Sequence, residues 1–169
     1  KPLMWLRPEG QLETGVANQS INAVFVGSQL VPMSRGQVDE SLLVVTELLL
    51  DQQSPTQQMM LRAVRLRDRE TVWRTKLEPY QRNSSGEPAA RITLLSPAKS
   101  DEGQASEPPR LVVYSNGQLL LLDASTGAVI GKPREIIPPD QRASRSCNEI
   151  KVVDLDNDSQ PEVVLLCQP

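Results

Sequence analysis

One stretch, residues 111–131, constrains what this chain can fold into more than any other. Its sequence, LVVYSNGQLLLLDASTGAVIG, holds three short apolar runs, at residues 111–114, 118–122 and 128–130. Asn116-Gly117 separates the first two runs, and this pair is a strong hairpin signal because both residues tolerate a positive φ. In the second turn, Asp123 can accept backbone hydrogen bonds and Gly127 can take the left-handed conformation. The stretch therefore predicts an antiparallel meander of three strands.

The composition is ordinary for a globular protein. A length of 169 residues suits one domain, and 38% hydrophobic with 23% charged residues are typical values. The net charge of −3 argues against a partner that is a nucleic acid. No apolar run approaches the ~20 residues of a transmembrane segment. Because the chain begins at Lys1 rather than Met, we expect a processed or partial form without its signal peptide or anchor.

The chain contains no histidine, which removes much of the usual catalytic chemistry. Nucleophile activation by Ser-His-Asp or Cys-His and zinc sites with histidine ligands are both excluded. Two cysteines cannot form a four-thiolate metal site, and five aromatic side chains offer little for stacking on bases or sugars. Carboxylates or lysines could still catalyse a reaction, but we expect a protein that is not an enzyme.

Along the chain, β-prone runs alternate with polar segments. Residues 1–20 are expected to form an irregular N-terminal segment, and residues 21–169 a single β domain. Besides the central meander, strands are predicted at residues 21–26, 29–33, 42–50, 59–66, 71–77, 91–95, 149–153 and 161–166. Loop insertions rich in Pro, Ser, Gly and charge are predicted at residues 79–90, 97–110 and 132–146. A helix starting at Ser41 is the alternative for residues 42–50. About eleven strands make the fold class all-β.

Two hairpins share one pattern. Residues 64–73 (VRLRDRETVW) and 122–131 (LDASTGAVIG) place apolar and turn residues at matching positions, 58 residues apart. This internal repeat is longer than the ~40–50 residues of compact propeller blades, and the insertions at 79–90 and 97–110 account for the excess.

These residues resemble known propeller families. Residues 119–131 resemble the repeat of quinoprotein-type (PQQ-like) β-propellers, whose blades close with a leucine, an Asp-containing turn, Thr-Gly, Val and usually Trp. The matching residues are Leu122, Asp123, Ala124, Thr126, Gly127 and Val129, with Gly131 where Trp is usual. Residues 63–77 are a second copy that keeps Trp73 and lacks Thr-Gly. Residues 150–166 (IKVVDLDNDSQPEVVLL) are similar to the FG-GAP repeat of integrin-α-like propellers.

The resemblance implies a propeller-like domain made of antiparallel meander blades. About eleven strands at four per blade make roughly three blades, whereas closed propellers have four or more. Either the chain is part of a larger propeller, or its strands close in another way.

The acidic loop in residues 154–162 is the one place with site chemistry. Its alternating carboxylates can converge on one hard cation, and a backbone carbonyl with a bidentate glutamate would complete an oxygen shell for Ca²⁺. The predicted ligands are Asp154, Asp156, Asp158, Gln160 and Glu162. The resemblance to integrin-like calcium loops implies the same assignment, although Ser159 stands where Gly normally makes the turn. The alternative is a solvated acidic turn.

Other features favour structural roles. Trp73 is expected in the core rather than on a ligand platform. Four arginines surround the turn at Asp68, and the interleaved acidic residues favour a solvated rim over an anion-binding patch. Three N-x-S sequons begin at Asn18, Asn83 and Asn157, and they matter only in a eukaryotic secreted chain.

Cys147 and Cys167 are predicted to form a disulfide across the last hairpin. The expected register sets Glu149 opposite Cys167, which leaves Cys147 as a diagonal neighbour at roughly 7 Å. Disulfides need Cβ atoms about 4 Å apart, so a bulge or register shift at Asn148 is required, or Cys147 turns inward from the loop. The bridge suits an oxidising compartment. The alternative is two buried free cysteines in a reducing one.

Two functions are consistent with these features. The first is a non-catalytic binding or scaffold module outside the cytosol (periplasmic, secreted or lumenal, free or tethered by a segment absent from this sequence), with a protein partner and a structural Ca²⁺. The second is a fragment of a quinoprotein-like enzyme whose active centre lies elsewhere. An enzyme needs aromatic stacking around the quinone, which this sequence hardly supplies, so the first is favoured.

Overall fold

The computed structural model describes residues 22–33, 41–50, 56–81, 90–95, 109–142, 144–158 and 160–168. These residues form antiparallel sheets and contain no α-helix, so the predicted all-β class is confirmed. The predicted N-terminal segment 1–20 lies outside the described residues, as do residues 97–108. The strands are β1 (Asn22–Val31), β2 (Leu42–Leu50), β3 (Thr56–Arg65), β4 (Thr71–Lys76), β5 (Tyr80–Gln81), β6 (Ala90–Leu95), β7 (Arg110–Ser115), β8 (Gln118–Asp123), β9 (Arg134–Glu135), β10 (Ser146–Val153) and β11 (Glu162–Gln168).

The first sheet has the order β1-β2-β3-β4, and β5 pairs with the beginning of β3 beyond the end of β4. Side chains on both faces of β2 are buried, which explains why residues 42–50 read as a nearly continuous apolar run. The strand prediction for this segment is confirmed, and the helix starting at Ser41 is wrong.

The predicted hairpin at residues 21–26 and 29–33 is also wrong. Residues 22–31 form the single strand β1, which runs antiparallel to the whole of β2. The register shifts once, between Phe25 and Gly27, so Gly27 marks a β-bulge rather than a tight turn. A bulge is favoured because β2 offers an unbroken partner nine residues long.

The second sheet has the order β6-β7-β8-β9. Asn116 and Gly117 have φ angles of 47° and 80°, as the predicted two-residue hairpin turn between β7 and β8 requires. The third predicted strand, at 128–130, is reduced to one bridge between Leu122 and Val129. The chain leaves the sheet at Gly131, where φ is 76°, and rejoins it as β9. Two predicted insertions therefore contain structure: residues 79–90 include β5, and residues 132–146 include β9 and a 3₁₀ turn, Pro139–Gln141.

The two hairpin turns identified by the sequence repeat have the same backbone geometry. The amide of Arg65 donates to the Glu70 carbonyl at 2.9 Å, and 58 positions later the amide of Asp123 donates to the Ala128 carbonyl at 2.9 Å. Arg69 and Gly127, again 58 positions apart, have φ angles of 65° and 71°. A side chain is therefore tolerated in the left-handed position of the first turn, while the second has glycine.

The sheets are stacked face to face. The larger core lies between the first and second sheets; its fully buried members include Leu61, Met59, Val44, Leu111 and Leu122. A second apolar cluster on the opposite face of the second sheet contains Tyr114, Ile137 and Cys147, with Ile150 and Leu165 from the β10–β11 hairpin against it. The second sheet is thus the middle of three layers.

The first strands of successive layers lie side by side, because β6 neighbours both β1 and β10. Each described sheet is open, so no barrel or propeller is closed by the described residues. Among those residues there is no helix with the length and apolarity needed to cross a bilayer.

Candidate functional site

The β10–β11 hairpin carries the acidic loop at its tip. Val153, the last residue of β10, pairs with Glu162, the first residue of β11, so residues 154–161 form the loop between them. This pairing places Glu162 at the start of the loop, next to Asp154. Glu162 Oε2 accepts a hydrogen bond of 2.7 Å from the Leu155 amide, which ties the end of the loop to its beginning.

The loop brings three of the predicted metal ligands together. Carboxylate oxygens of Asp154, Asp156 and Glu162 all lie within 4.8 Å of one another. Two oxygens that each lie about 2.4 Å from one Ca²⁺ ion can be at most about 4.8 Å apart. The three carboxylates could therefore hold one hard cation together and would supply three of the six to eight oxygen ligands that Ca²⁺ takes.

The other two predicted ligands are Asp158 and the Gln160 carbonyl, and the amide of Gln160 hydrogen-bonds to Asp158. Asp158 Oδ1 accepts a 2.7 Å hydrogen bond from the Gln160 amide, and the cluster of three does not include Asp158. The amide of Asp158 in turn donates to Asp156 Oδ1 at 3.2 Å, and Asn157 between them has φ of 61°. These short-range bonds shape the tip as a tight turn, so Asp158 and Gln160 have a local structural role alongside the three converging carboxylates.

The other end of the hairpin is closed by the Cys147–Cys167 disulfide, as predicted from the sequence. The predicted register, however, is wrong by one residue, because Glu149 faces Leu166 rather than Cys167. The register shifts at Asn148, and this bulge places the two cysteines directly opposite each other. Arg91 from β6 donates a 2.8 Å hydrogen bond from Nε to the Asn148 carbonyl, which fixes the bulge to the second sheet.

The bridge also anchors the hairpin in the second apolar cluster. Cys147 is completely buried there, next to Tyr114. Burial raises the pKa of Tyr114, while hydrogen bonds from the backbone of Cys147 and Gly117 oppose that shift. The phenol therefore links the disulfide to the Asn116-Gly117 turn of the second sheet.

The first and second sheets are joined by Trp73. Its indole Nε1 donates a buried 3.0 Å hydrogen bond to the Ala124 carbonyl, and Thr75 Oγ1 donates to the Gly127 carbonyl at 2.6 Å. A Cβ atom at Gly127 would lie 2.6 Å from Cδ2 of the indole ring, so only glycine allows the ring to approach this closely. The core position predicted for Trp73 is confirmed, since 8% of this residue is exposed.

The turn that receives Trp73 is held by Asp123. Its Oδ1 accepts hydrogen bonds from the Ser125 hydroxyl at 2.5 Å and from the amides of Ser125 and Thr126 at 2.8 and 3.0 Å. The Ser125 hydroxyl bond is the main cause that lowers the pKa of Asp123, and the two amides act in the same direction. These hydrogen bonds fix the conformation of the turn on which the indole packs.

The arginine-rich turn of the first sheet is stabilised differently. Arg65 pairs with Asp68 at 2.7 Å and with Glu70 at 3.7 Å. The amide of Glu70 donates to Asp68 Oδ1, and this backbone bond, followed by the Arg65 side chain, lowers the pKa of Asp68. These pairs between partly exposed side chains agree with the solvated rim favoured by the sequence.

Two ionic groups were not identified from the sequence. Arg142 binds Glu78 at 3.0 Å, Glu135 at 3.1 Å and the Ile137 carbonyl at 3.2 Å, and so connects the end of the first sheet to the edge of the second. Glu47 and Arg62 form a buried pair within the first sheet. The isolated glutamate in LLVVTELLL was a usable signal for the second group. Nothing in the sequence around Arg142 indicates its three partners.

No family model, curated protein or solved structure matches this chain.

Proposed function

We propose that this chain is a non-catalytic, extracytoplasmic binding or scaffold module built from propeller-like blades. The observation that carries the proposal is the way in which Trp73 connects one meander sheet to the Asp-Thr-Gly turn of the next. The stacking of the sheets, with β1, β6 and β10 side by side, supports the same architecture. In this reading the first and second sheets are successive blades, and β10–β11 begins a third.

The proposed module offers its partner a rigid platform. Two apolar clusters hold the three layers together, while the turns and connections stand at the ends of the sheets. Loops on a rigid β scaffold commonly carry binding function. The disulfide is compatible with an extracytoplasmic location. The proposed partner is another protein.

We also propose that Asp154, Asp156 and Glu162 bind a structural Ca²⁺. The ion would neutralise three carboxylates that converge within 4.8 Å and would brace the tip of a hairpin with only two strands. The remaining oxygen ligands would come from water or loop carbonyls.

Calorimetric titration of the disulfide-bonded chain with CaCl₂ tests the metal proposal. One binding site is expected in the native chain, and the double variant Asp156→Ala/Glu162→Ala should lose it. Asp158→Ala is the matched control, because Asp158 lies outside the cluster, and it should retain the site with at most weaker binding. If all three proteins give no heat and no shift in melting temperature at millimolar Ca²⁺, the loop is a solvated turn.

The functional class is tested by comparing two kinds of ligand. The disulfide-bonded chain, screened against secreted proteins and receptor ectodomains, should show saturable binding to a protein partner, and the same chain after thermal denaturation should not. Titration with pyrroloquinoline quinone, followed by absorbance, should show no binding. Stoichiometric uptake of the quinone would instead support the quinoprotein-like enzyme.

A further inference from the structure

The tip of the β10–β11 hairpin carries an N-x-S sequon, formed by Asn157, Asp158 and Ser159 in the sequence. Asn157 is exposed and lies at a positive φ of 61°, so the backbone turns at this residue. Among the described residues, its carboxamide makes no hydrogen bond, whereas Asp156 and Asp158 on either side both accept backbone amides. The Asn157 carboxamide therefore takes no part in the hydrogen bonds that shape the described part of this turn.

We propose that Asn157 is an N-glycosylation site. The inference rests on the proposed extracytoplasmic location, since the modification occurs only in chains that enter a secretory compartment. The Cys147–Cys167 bridge at the base of the same hairpin belongs to that kind of compartment.

The reaction needs one co-reactant, a lipid-linked oligosaccharide diphosphate. The amide nitrogen of Asn157 forms a bond to C1 of the first sugar, the bond between C1 and the diphosphate oxygen breaks, and the lipid diphosphate leaves with the electron pair. The nitrogen gives up one proton. No oxidation or reduction takes place, and the product is an N-glycosidic amide.

A glycan on Asn157 is compatible with the folded hairpin. The side chain is outside both apolar clusters and both strands, so a bulky group there displaces no packed residue. The proposed metal ligands are the carboxylates of Asp154, Asp156 and Glu162 and do not include the Asn157 carboxamide, so glycan and metal do not compete for a ligand.

The sugar would cover an apolar side chain of the same loop. Leu155, two residues before Asn157, is 65% exposed and is the most exposed large hydrophobic residue among those described. A hydrophilic glycan beside it would keep this tip out of protein contacts. The protein partner would then bind at other loops of the module.

Peptide mapping of the full chain secreted from a eukaryotic cell line tests the site. Trypsin cleaves after Lys151, and the peptide from Val152 to Pro169 contains Asn157 as its only asparagine. Release of the glycan by peptide N-glycosidase converts the acceptor asparagine to aspartate, and mass spectrometry detects this change of mass. Because Asn18 and Asn83 lie in other peptides, the change in this peptide reports on Asn157 only. Most molecules are expected to carry the modification.

Matched variants separate the sequon from the fold. Ser159→Thr keeps the sequon and should keep the glycan, whereas Ser159→Ala and Asn157→Gln should lose it, with the disulfide intact in all of them. An unmodified Asn157 in a secreted, disulfide-bonded native chain would overturn this inference and leave the proposed location standing. Two free thiols per secreted chain would overturn the location, and the glycan inference with it.

Discussion

Glu47 and Arg62 form an ion pair that is almost completely removed from water. The side chains are 4% and 3% exposed, and Oε1 of Glu47 lies 2.8 Å from Nε and 2.7 Å from Nη2 of Arg62. Glu47 faces Met60 across the β2–β3 ladder, so Arg62 is its diagonal neighbour on the same face of the sheet. Each charge is tolerated in this position because the other neutralises it.

Removing one member of this pair should therefore be costly. Glu47→Ala leaves the Arg62 guanidinium buried without its counter-charge, and we expect a loss of about 3–5 kcal/mol in the free energy of unfolding, measured in urea. Replacing both residues, as in Glu47→Met/Arg62→Leu, should cost much less, because neither charge is then buried. Arg65→Ala, which removes a partly exposed pair with Asp68, is the control and should cost less than about 1 kcal/mol. A double variant as unstable as Glu47→Ala would contradict this account.

Asp123 predicts how stability depends on pH. Its pKa is lowered in the folded chain, mainly by the Ser125 hydroxyl, so folding favours the ionised carboxylate. The stabilisation is complete above the unfolded pKa of about 3.9 and is lost as the pH falls through the lower folded value. Thermal melts should show Asp123→Asn less stable than the native chain at pH 6, with the difference shrinking toward pH 3. A difference that stays constant over this range would exclude the carboxylate charge as the cause.

At the residue scale, the sequence predicted side chains whose role is local. Asp123, Asn116 and Gly127 have backbone conformations that their own turns set, so the preference of each residue for a backbone conformation was enough to place them. Glu47 and Arg142 act through partners that are distant in the sequence. Their roles depend on strand register and sheet packing, which residue preferences do not specify.

The β10–β11 hairpin shows the same limit at the scale of one element. The sequence predicted both strands, the acidic loop and the disulfide, but it placed Glu149 opposite Cys167. The loop closes on Val153 and Glu162 instead, which changes the register by one residue. Alternate residues of a strand face opposite sides, so without the bulge Asn148 rather than Cys147 would point into the second apolar cluster. The bulge buries the apolar Cys147 side chain there instead of the polar Asn148 side chain, and this is its physical reason.

Loss of the bridge should weaken this element. The cysteines are 20 residues apart, so the chain-entropy model gives about 3 kcal/mol of stabilisation. The variant Cys147→Ala/Cys167→Ala should lose roughly this amount, and hydrogen exchange should increase first in β10 and β11. Thiol counting on the native chain under denaturing, non-reducing conditions is expected to find none. An unchanged melting temperature in the double variant would show that the bridge does not stabilise the hairpin.

Across the whole molecule, the contact between Trp73 and the Asp123 turn should make two sheets unfold as one unit. Trp73→Phe keeps most of the apolar ring but leaves the buried Ala124 carbonyl without the indole N–H, at a cost of about 1–3 kcal/mol. Gly127→Ala should disturb the same contact from the other side, because its Cβ would overlap the ring. Hydrogen exchange followed by mass spectrometry should show β2 and β8 opening together in the native chain and separately in these variants.

Substitution of an exposed residue on the same strand serves as the control for this measurement. Val72→Ala lies next to Trp73 but is partly exposed on β4, and it should leave the coupled opening of β2 and β8 unchanged. If β2 and β8 open independently in the native chain, the contact does not couple the sheets.

At this scale the sequence predicted the all-β class and the repeated turn, while the layering came only from the structure. The pattern in residues 64–73 and 122–131 reflects short-range turn geometry, which recurs bond for bond. The sequence did not predict that the strand after β8 is interrupted between Val129 and β9. Gly131 was interpreted as a substituted motif position, whereas in the structure its positive φ turns the chain out of the sheet. Which faces pack together depends on burial from several strands at once, and no single run of residues contains that information.

The two sides of the Trp73 contact are different, and this asymmetry matters for how such a structure could evolve. The indole belongs to one unit and the receiving turn to the next, so the interface is heterologous and does not map onto itself by a two-fold axis. A duplicated segment that carries both the tryptophan and the turn would bring a compatible neighbour at once, with no compensating substitution. The second sheet has Gly131 at the position equivalent to Trp73 and meets the third layer through Tyr114 and Cys147 instead. Duplication of the first junction would therefore preserve its contact, whereas the second junction is built from other side chains and would not supply a tryptophan to a further layer.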